Sequence, residues 1–187
     1  LVVVIDVGHG GNDPGKIGVD NVKEKDVNLQ IALCLKAQLQ ARGVKVILTR
    51  EGDVCLATNG ATNKKVSDMH NRVSLINASS ADYMISIHQN SYPEAEISGP
   101  QVFYYGSSEM SKKLAEAIQA QLIADLQPPK EREIKTGNDL YILKNSQCPG
   151  VIVECGFLSN PTECENLQNP QYQQAVAAAI ARAICKL

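Results

Sequence analysis

The chain has 187 residues, of which 44% are hydrophobic and 20% charged, and its formal net charge is −2. This composition is typical of a globular protein and argues against a disordered or membrane-embedded chain. Lysine and arginine form no marked cluster and aromatic residues are few, so we expect no nucleic-acid partner. We predict one domain over residues 1–187, without a membrane span.

Short apolar runs alternate with longer segments of helical period, a pattern that predicts an α/β fold. In chain order, we predict strands over 2–7, 44–49, 83–87, 101–105, 140–143 and 151–154. We predict helices over 25–42, over 67–78 with Ser67 as its N-cap, over 109–126 and over 170–186, with long loops over 50–66, 90–100 and 127–139. The expected architecture is a mixed, mostly parallel central sheet of about six strands, flanked by helices on both faces.

The six cysteines are scattered along the chain and form no CxxC pair. An even number of cysteines permits disulfides, and the sequence alone does not choose among the pairings. Several of these cysteines lie in apolar segments, where they are typical of small core residues. We therefore expect mostly free thiols.

Polar side chains interrupt or end several of the predicted strands. His9 follows the run VVVIDV and precedes two glycines, His88 follows YMISI, and Glu154 lies within the apolar run GVIVECGFL. A buried carboxylate is costly unless it is paired or bound to a metal. We therefore expect these residues to meet at one edge of the sheet, where Glu24 after the first loop would complete a hydrolytic zinc centre.

Each of these residues also has a structural interpretation. The glycine-rich turn at His9 could bind phosphate or only turn the chain, although neither nucleotide-binding glycine motif is present. A histidine at a strand end, such as His88, is commonly structural. Glu24 at the opening of a helix could be a capping residue or a partner of the helix dipole.

Other polar residues leave further alternatives open. Glu154 could form a buried ion pair with Arg50 or Arg72. Asp6 could orient a ligating imidazole through a hydrogen bond, or could be a turn carboxylate. His70 lies within a predicted helix and is interpreted as a surface or packing residue.

A series of motifs runs along the whole chain in unbroken order: DVGHGGNDPGKIG, EKDVNLQIALCLKAQLQARGVKVILTRE, RVSLINASSADYMISIHQNS, GPQVFYYGSSE and LYILKNSQCPGVIVECGFLSNPTECENL. Together they closely resemble the zinc-dependent N-acetylmuramoyl-L-alanine amidases of the amidase-3 type. The details SIHQNS, SGPQVFYYGSSE and LKN with CPG are most similar to the spore-cortex, germination-specific branch. One departure is Val7, where the family usually has proline.

The resemblance implies a set of roles for the polar residues. His9, Glu24 and His88 match the family's zinc ligands, and Glu154 matches its catalytic carboxylate. Two imidazoles and one carboxylate are a common ligand set of catalytic zinc. The implied reaction is hydrolysis of the amide between N-acetylmuramic acid and the L-alanine of the stem peptide. The candidates for shaping the substrate groove are Asn90, Ser91, Leu158, Ser159 and Asn160.

The resemblance also implies a setting for this activity. We expect an enzyme of peptidoglycan that forms muramic lactam in the spore cortex, as germination requires. We expect it outside the cytoplasm, in the cell wall or the forespore intermembrane space, after removal of a targeting segment absent from this chain. The chain is too short between SIHQNS and GPQVFYY for the helix that blocks zinc in some related amidases. Restraint would therefore come from weak metal retention or from an activating protein partner.

Two other classes of function stay open. Two histidines and one carboxylate also form the facial triad of non-haem iron(II) proteins, which would not need Glu154. A second alternative is a non-catalytic or partner-activated cell-wall binding module. Retention of all four polar positions argues against an inert site.

Overall fold

The apolar runs of the sequence form one six-stranded sheet in the computed structural model, which describes residues 1–187. The strands are β1 (Val2–Val7), β2 (Lys45–Leu48), β3 (Tyr83–Asn90), β4 (Gln101–Tyr104), β5 (Lys135–Thr136) and β6 (Gly150–Phe157). Their spatial order is β2-β1-β3-β6-β4-β5. Only β4 and β6 pair antiparallel, and every other neighbouring pair is parallel. The predicted mixed, mostly parallel sheet is therefore confirmed.

Helices cover both faces of the sheet, but unequally. They are α1 (Glu24–Gln40), α2 (Lys64–Ala78), α3 (Glu109–Leu126), α4 (Tyr141–Asn145), α5 (Pro161–Gln168) and α6 (Pro170–Ile184). On one face α1, α3, α5 and α6 enclose a core cluster of 29 buried residues. On the other face α2 and α4 enclose a cluster of seven. Side chains alternate along each strand, so Val3 and Ile5 enter the larger core and Val4 the smaller one.

The segment 140–143 is not a strand, as the sequence pattern predicts, but the start of α4. Leu140 and Tyr141 are partly exposed, whereas Ile142 and Leu143 are both buried in the smaller core. Two adjacent buried residues fit one side of a helix better than a strand, whose neighbours point to opposite faces. Packing thus overrides the apolar character of the run.

Strand β5 lies within the segment 127–139, where the sequence predicts a loop. β5 has only two residues, both exposed, and it pairs at the sheet edge with β4. An exposed edge strand this short carries no apolar alternation, so its sequence gives no strand signal.

Two helix boundaries also differ from the sequence prediction. The N-cap of α2 is Asn63, whose side chain accepts a hydrogen bond from the backbone of Val66 at 3.2 Å. Ser67 instead accepts a bond from Thr58, so it lies inside the helix. The short helix α5 was not predicted, although Asn160 followed by Pro161 is a common helix start.

The fold confirms two smaller predictions and adds one observation. All six cysteines are free thiols. His70 is exposed, with its ring centroid 5.2 Å from that of Tyr141. None of the helices combines the length and the apolar character that a membrane crossing demands.

The carboxyl ends of β1, β3 and β6 meet at one edge of the sheet because these strands are parallel. His88 and Glu154 are direct register partners across β3 and β6. β4 runs in the opposite sense, so it begins at this edge with Gln101 opposite Glu154. The strand alternation directs these side chains to the face covered by the smaller helix layer. This edge therefore gathers the polar residues of four strands.

Candidate metal centre

Three residues from separate elements form a compact cluster at this edge. His9 follows β1, Glu24 opens α1 and His88 lies in β3, and their candidate ligand atoms all lie within 4.8 Å of one another. Glu24 Oε2 is 3.1 Å from His9 Nε2, and Glu24 Oε1 is 2.9 Å from His88 Nδ1. The two imidazole rings meet edge to face, with their centroids 5.1 Å apart. The structure thus brings together the three predicted metal ligands.

Glycines allow this close approach. A Cβ at Gly8 would overlap the imidazole of His88. At Gly15, where φ is +69°, a Cβ would crowd both the carboxylate of Glu24 and the ring of His9. His9 itself has a φ of 60°, a left-handed conformation that is uncommon for a residue with a side chain. The glycine-rich turn therefore directs the first histidine into the cluster.

The carboxylate of Glu24 is the electrostatic centre of the cluster. Its side chain is 2% exposed and also accepts hydrogen bonds from the backbone of Lys16 and Gln89. Burial alone would raise the pKa of Glu24, but the hydrogen bonds and charges of the two imidazoles lower it well below its usual range. Burial alone would likewise lower the pKa of His88, but Glu24 raises it to about 9. Protons and a cation would compete for the same nitrogen atoms.

Glu154 faces the cluster from β6 but forms no ion pair. Its Oε2 atom is buried and has no hydrogen-bond partner. Burial raises the pKa of Glu154 to about 7, with Glu24 adding to the rise and the two imidazoles opposing it. The alternative of an ion pair with Arg50 or Arg72 is wrong, because those guanidinium groups bond elsewhere. A buried carboxylate without a partner indicates a group reserved for a ligand or for proton transfer.

The two arginines instead hold the backbone around the first histidine. Arg72, whose side chain is 2% exposed, donates to the carbonyl of His9 at 2.7 Å and pairs with Asp6 and Asp68. Arg50 donates to the carbonyls of Val7, Gly8 and Lys25. These bonds fix the turn that carries the first imidazole.

The prediction that Asp6 orients a ligating imidazole through a hydrogen bond is wrong. Asp6 accepts hydrogen bonds from Ser86 at 2.6 Å, from Thr49 and from Arg72, and from neither imidazole. Asp6 lies within β1, opposite Ser86 of β3, so its carboxylate bonds to residues of the sheet and its neighbours. Besides Glu24, a second carboxylate contacts the ring of His9, and it belongs to a residue that the sequence analysis missed.

That residue is Asp13. Its Oδ2 atom is 2.8 Å from Nδ1 of His9, on the opposite side of the ring from Glu24. A carboxylate bonded to the second ring nitrogen is the usual outer partner of a metal-binding histidine. The signal that could have identified it is the turn sequence HGGNDPG, which folds the chain back onto the histidine.

The candidate substrate-binding residues have mixed outcomes. Asn90 lines a cavity beside the cluster. Leu158 is fully buried in the larger core, which contradicts a contact with substrate. Ser159 Oγ accepts from the backbone of Tyr92, and Asn160 caps α5. The side chains of Ser159 and Asn160 therefore bond within the protein, because the chain after β6 must turn into α5. Ser91 is half-buried at the end of β3.

Comparison with known proteins places the chain in a family. The family model described as N-acetylmuramoyl-L-alanine amidase matches residues 3–186. The chain is 41% identical to the germination-specific N-acetylmuramoyl-L-alanine amidase of Bacillus subtilis (strain 168), over 99% of this chain and 78% of that protein. The chain therefore belongs to the N-acetylmuramoyl-L-alanine amidase family and is an enzyme of that class.

Solved structures agree with this assignment. The chain matches the CwlD amidase from Clostridioides difficile, solved in complex with the GerS lipoprotein, with a TM-score of 0.95 and 38% identity over 99% of this chain and 96% of that one. It matches the amidase AmiC2 of Nostoc punctiforme with a TM-score of 0.87 and 33% identity, over 100% and 96% respectively. The α/β fold and the resemblance to the germination-specific branch are both confirmed.

Proposed function

We propose that this chain is a zinc-dependent hydrolase that cleaves the amide between N-acetylmuramic acid and the L-alanine of the peptidoglycan stem peptide. The observation that carries the proposal is the donor cluster of His9, Glu24 and His88, with the unpartnered carboxylate of Glu154 beside it. Two imidazoles and one carboxylate fit zinc, and they leave a position for water or substrate. Membership in the amidase family supports the identity of the bond.

Each residue has a defined task in this reaction. When bound, zinc would polarise the scissile carbonyl and make a water molecule more acidic. Glu154 takes a proton from the attacking water as the new C–O bond forms, and then donates it to the alanine nitrogen as the C–N bond breaks. Its unpartnered Oε2 and its raised pKa suit both halves of this transfer. Asp13 holds the ring of His9 in one orientation.

We further propose that the enzyme acts on spore-cortex peptidoglycan, where removal of the stem peptide allows muramic lactam to form before germination. The support is the 41% identity with the germination-specific relative. This substrate lies outside the cytoplasm, in the cell wall or the forespore intermembrane space, so we propose an extracytoplasmic location. We also propose a protein partner that promotes activity, because the C. difficile CwlD amidase was solved in complex with the GerS lipoprotein.

The test compares the wild type with Glu154→Gln and His88→Ala. Metal content and released muropeptides are measured for each, with and without added zinc. We expect stem-peptide release by the wild type alone, with zinc retained in Glu154→Gln and lost in His88→Ala. Loss of the general base should lower the rate by about 10²–10⁴-fold.

The other outcomes separate the alternatives. Full zinc loading without peptide release, even after a partner protein is added, would favour a cell-wall binding module. Activity that survives Glu154→Gln and depends on iron(II) would favour the facial-triad interpretation. Failure of the wild type to bind zinc would contradict the assignment of His9, Glu24 and His88.

A further inference from the structure

The cavity that Asn90 lines lies next to the metal centre, on the side of β4 and β5. Its volume is about 440 Å³, within the range of roughly 300–1,000 Å³ that is typical of ligand pockets. We call it the basic groove, and its lining residues are Asn90, Tyr92, Ile97, Gln101, Phe103, Arg132, Lys135 and Phe157. None of these residues has been given a catalytic role, and two of them are cationic.

The sheet joins the basic groove directly to Glu154. Gln101 is the register partner of Glu154 across β4 and β6, so the two side chains are neighbours on one face. Asn90 lies two residues after His88 in β3 and points to the same face. A substrate whose scissile bond lies at Glu154 could therefore continue into the groove.

A register shift shapes the groove at its junction with the centre. His88 pairs with Glu154, but Asn90 pairs with Phe157, so β6 has one extra residue at this point. Such a bulge moves a side chain to the other face of its strand. Here it turns the ring of Phe157 onto the face of Glu154, where the ring lines the groove.

Neither cation of the groove forms a salt bridge, although the charge of Arg132 acts to lower the pKa of the buried Glu163. No salt bridge involves Arg132 or Lys135, whereas Arg72 near the first histidine has two. The guanidinium carbon of Arg132 lies 4.8 Å from the ring centroid of Phe157, and Lys135 Nζ lies 5.9 Å from that of Phe103. Cations held over rings in this way keep their hydrogen-bond donors free for another acceptor.

No acidic side chain lines the groove, although the whole chain has a net charge of −2. Arg132 is also fixed by a bond of 2.7 Å from Nε to the carbonyl of Ser98, which leaves its terminal nitrogens free. A pocket with two cations that form no salt bridge, two side-chain amides and no acidic side chain is complementary to an anion. Among anions, a carboxylate matches the donors of a guanidinium and an ammonium group.

We propose that the basic groove is a subsite for a carboxylate of the acidic stem peptide, bound by Arg132 and Lys135. This inference rests on the proposed function, since it assumes that the scissile amide lies at Glu154. The lactyl carboxyl of N-acetylmuramic acid is consumed in that amide, so the adjoining sugar is uncharged. The peptide beyond L-alanine carries the free carboxylates, which makes it the anionic side of the substrate.

The test uses pairs of synthetic N-acetylmuramoyl tripeptides and zinc-supplied protein. One pair differs only in whether the second residue carries a free α-carboxylate or a carboxamide, with the terminal carboxyl amidated in both. The other pair varies the terminal carboxyl of the third residue in the same way. Values of kcat/KM are measured for the wild type, Arg132→Gln, Arg132→Lys and Lys135→Gln. Lys112→Gln, on the exposed side of α3 across the sheet, is the control with the same change of charge.

We expect the wild type to prefer one carboxylate compound over its carboxamide by roughly fivefold to tenfold, the size of a partly exposed charge-assisted bond. Arg132→Gln and Lys135→Gln should each remove most of this preference by lowering kcat/KM for the carboxylate compound alone. Arg132→Lys should retain part of it, and Lys112→Gln all of it. The pair that shows the preference identifies which carboxylate is bound.

Binding measurements keep this inference separate from the proposed function. The same compounds are titrated calorimetrically into Glu154→Gln, alone and combined with Lys135→Gln, with Arg132→Gln or with both. A carboxylate preference in Kd that disappears with Lys135→Gln supports the subsite, even if the wild type cleaves no compound and the proposed function fails. Equal Kd for both members of each pair, or a preference that survives substitution of both cations, would overturn it.

Discussion

Charged residues form ion pairs on one side of the metal centre and form none on the other. On the β1 side, Arg72 pairs with Asp6 and Asp68 and braces the carbonyl of His9, all within a buried network. On the β5 side, Arg132 and Lys135 lie over aromatic rings and form no salt bridge. Buried charges are tolerated when paired, and unpaired ones are kept near solvent. The first side therefore fixes geometry, and the second is left available to a ligand.

A cavity on the β1 side also has both cationic and acidic residues in its lining. It measures 390 Å³ and is lined by both histidines of the centre together with Lys64 and Lys65. These lysines differ from the cations of the basic groove, because acidic residues lie among them. Lys65 Nζ is 3.5 Å from Asp13, which itself contacts His9. Charge on this side is internally balanced, so we expect it to contribute little to recognition of an anion.

The largest effect should come from removing the paired cation. Arg72→Met would leave the buried carboxylate of Asp6 without its cation and would free the carbonyl of His9. We expect the free energy of unfolding to fall by about 3–5 kcal/mol, as for other broken buried pairs. Urea denaturation followed by circular dichroism measures this change, with Lys112→Gln as a surface control. A loss below about 1 kcal/mol would mean that the network adds little to the fold.

A smaller effect is expected from the acidic partner, and it should depend on pH. Burial alone would raise the pKa of Asp6, but Arg72 and Ser86 lower it below its usual value. The folded state therefore gains stability above the unfolded pKa of about 3.9, and loses it as the pH falls through the lower folded pKa. We expect Asp6→Asn to cost about 2 kcal/mol at pH 7.

The pH dependence of that difference is the sharper measurement. Unfolding of the wild type and Asp6→Asn is compared from pH 7 downward. The gap in unfolding free energy should be constant above about pH 5 and should close progressively as the pH falls below that value. A gap that stays constant to lower pH would show that the charge of Asp6 is not what stabilises this side.

Asp13 should affect the metal rather than the fold. Asp13→Asn removes the carboxylate from the ring of His9, and we expect zinc affinity to fall about tenfold, since Asp13 is partly exposed. Zinc affinity is measured by competition with a chelator. Asp6→Asn is the matched control, because Asp6 touches neither imidazole. Equal losses of zinc affinity in both variants would contradict the distinction between the two carboxylates.

The smallest effect is expected at Lys65. Its side chain is 79% exposed and its ion pair with Asp13 is long, so Lys65→Gln should change stability by less than about 0.5 kcal/mol. It should also leave the carboxylate preference of the enzyme within about twofold, unlike Lys135→Gln. The muramoyl tripeptide pairs measure both variants side by side. If Lys65→Gln abolished the preference, the anion would bind on the β1 side instead.

The sequence predicted most of the sheet because buried strands carry their own signal. β1, β3 and β6 are continuous apolar runs, and polar residues mark the points where they reach the site. The segment 140–143 was mistaken for a strand because its apolar residues fit either state, and only packing against the smaller core decided between them. β5 was missed because an exposed edge strand has no apolar alternation to detect.

Within the site, the sequence predicted residue identity better than contact. Family motifs indicated His9, Glu24, His88 and Glu154, and the structure brings these four to one face. The outer carboxylate was misassigned, because proximity along the chain favoured Asp6 for the imidazole. The turn conformation instead brings Asp13 to the ring.

Sequence patterns were therefore sufficient to predict the α/β class, the strands that end at the site and the kinds of side chain found there. Those properties follow from the local pattern of apolar residues and from motifs, both of which are recognisable from the order of residues alone. The tertiary structure alone decided which charges are paired and which are free, since that depends on residues distant in sequence. Arg72 pairs with Asp6 across 66 positions, whereas Arg132 contacts an aromatic ring and a backbone carbonyl and forms no salt bridge. Ion pairs form only between residues that the fold brings close together. Such pairs stabilise one side of the centre, and their absence leaves the cations of the other side available to substrate.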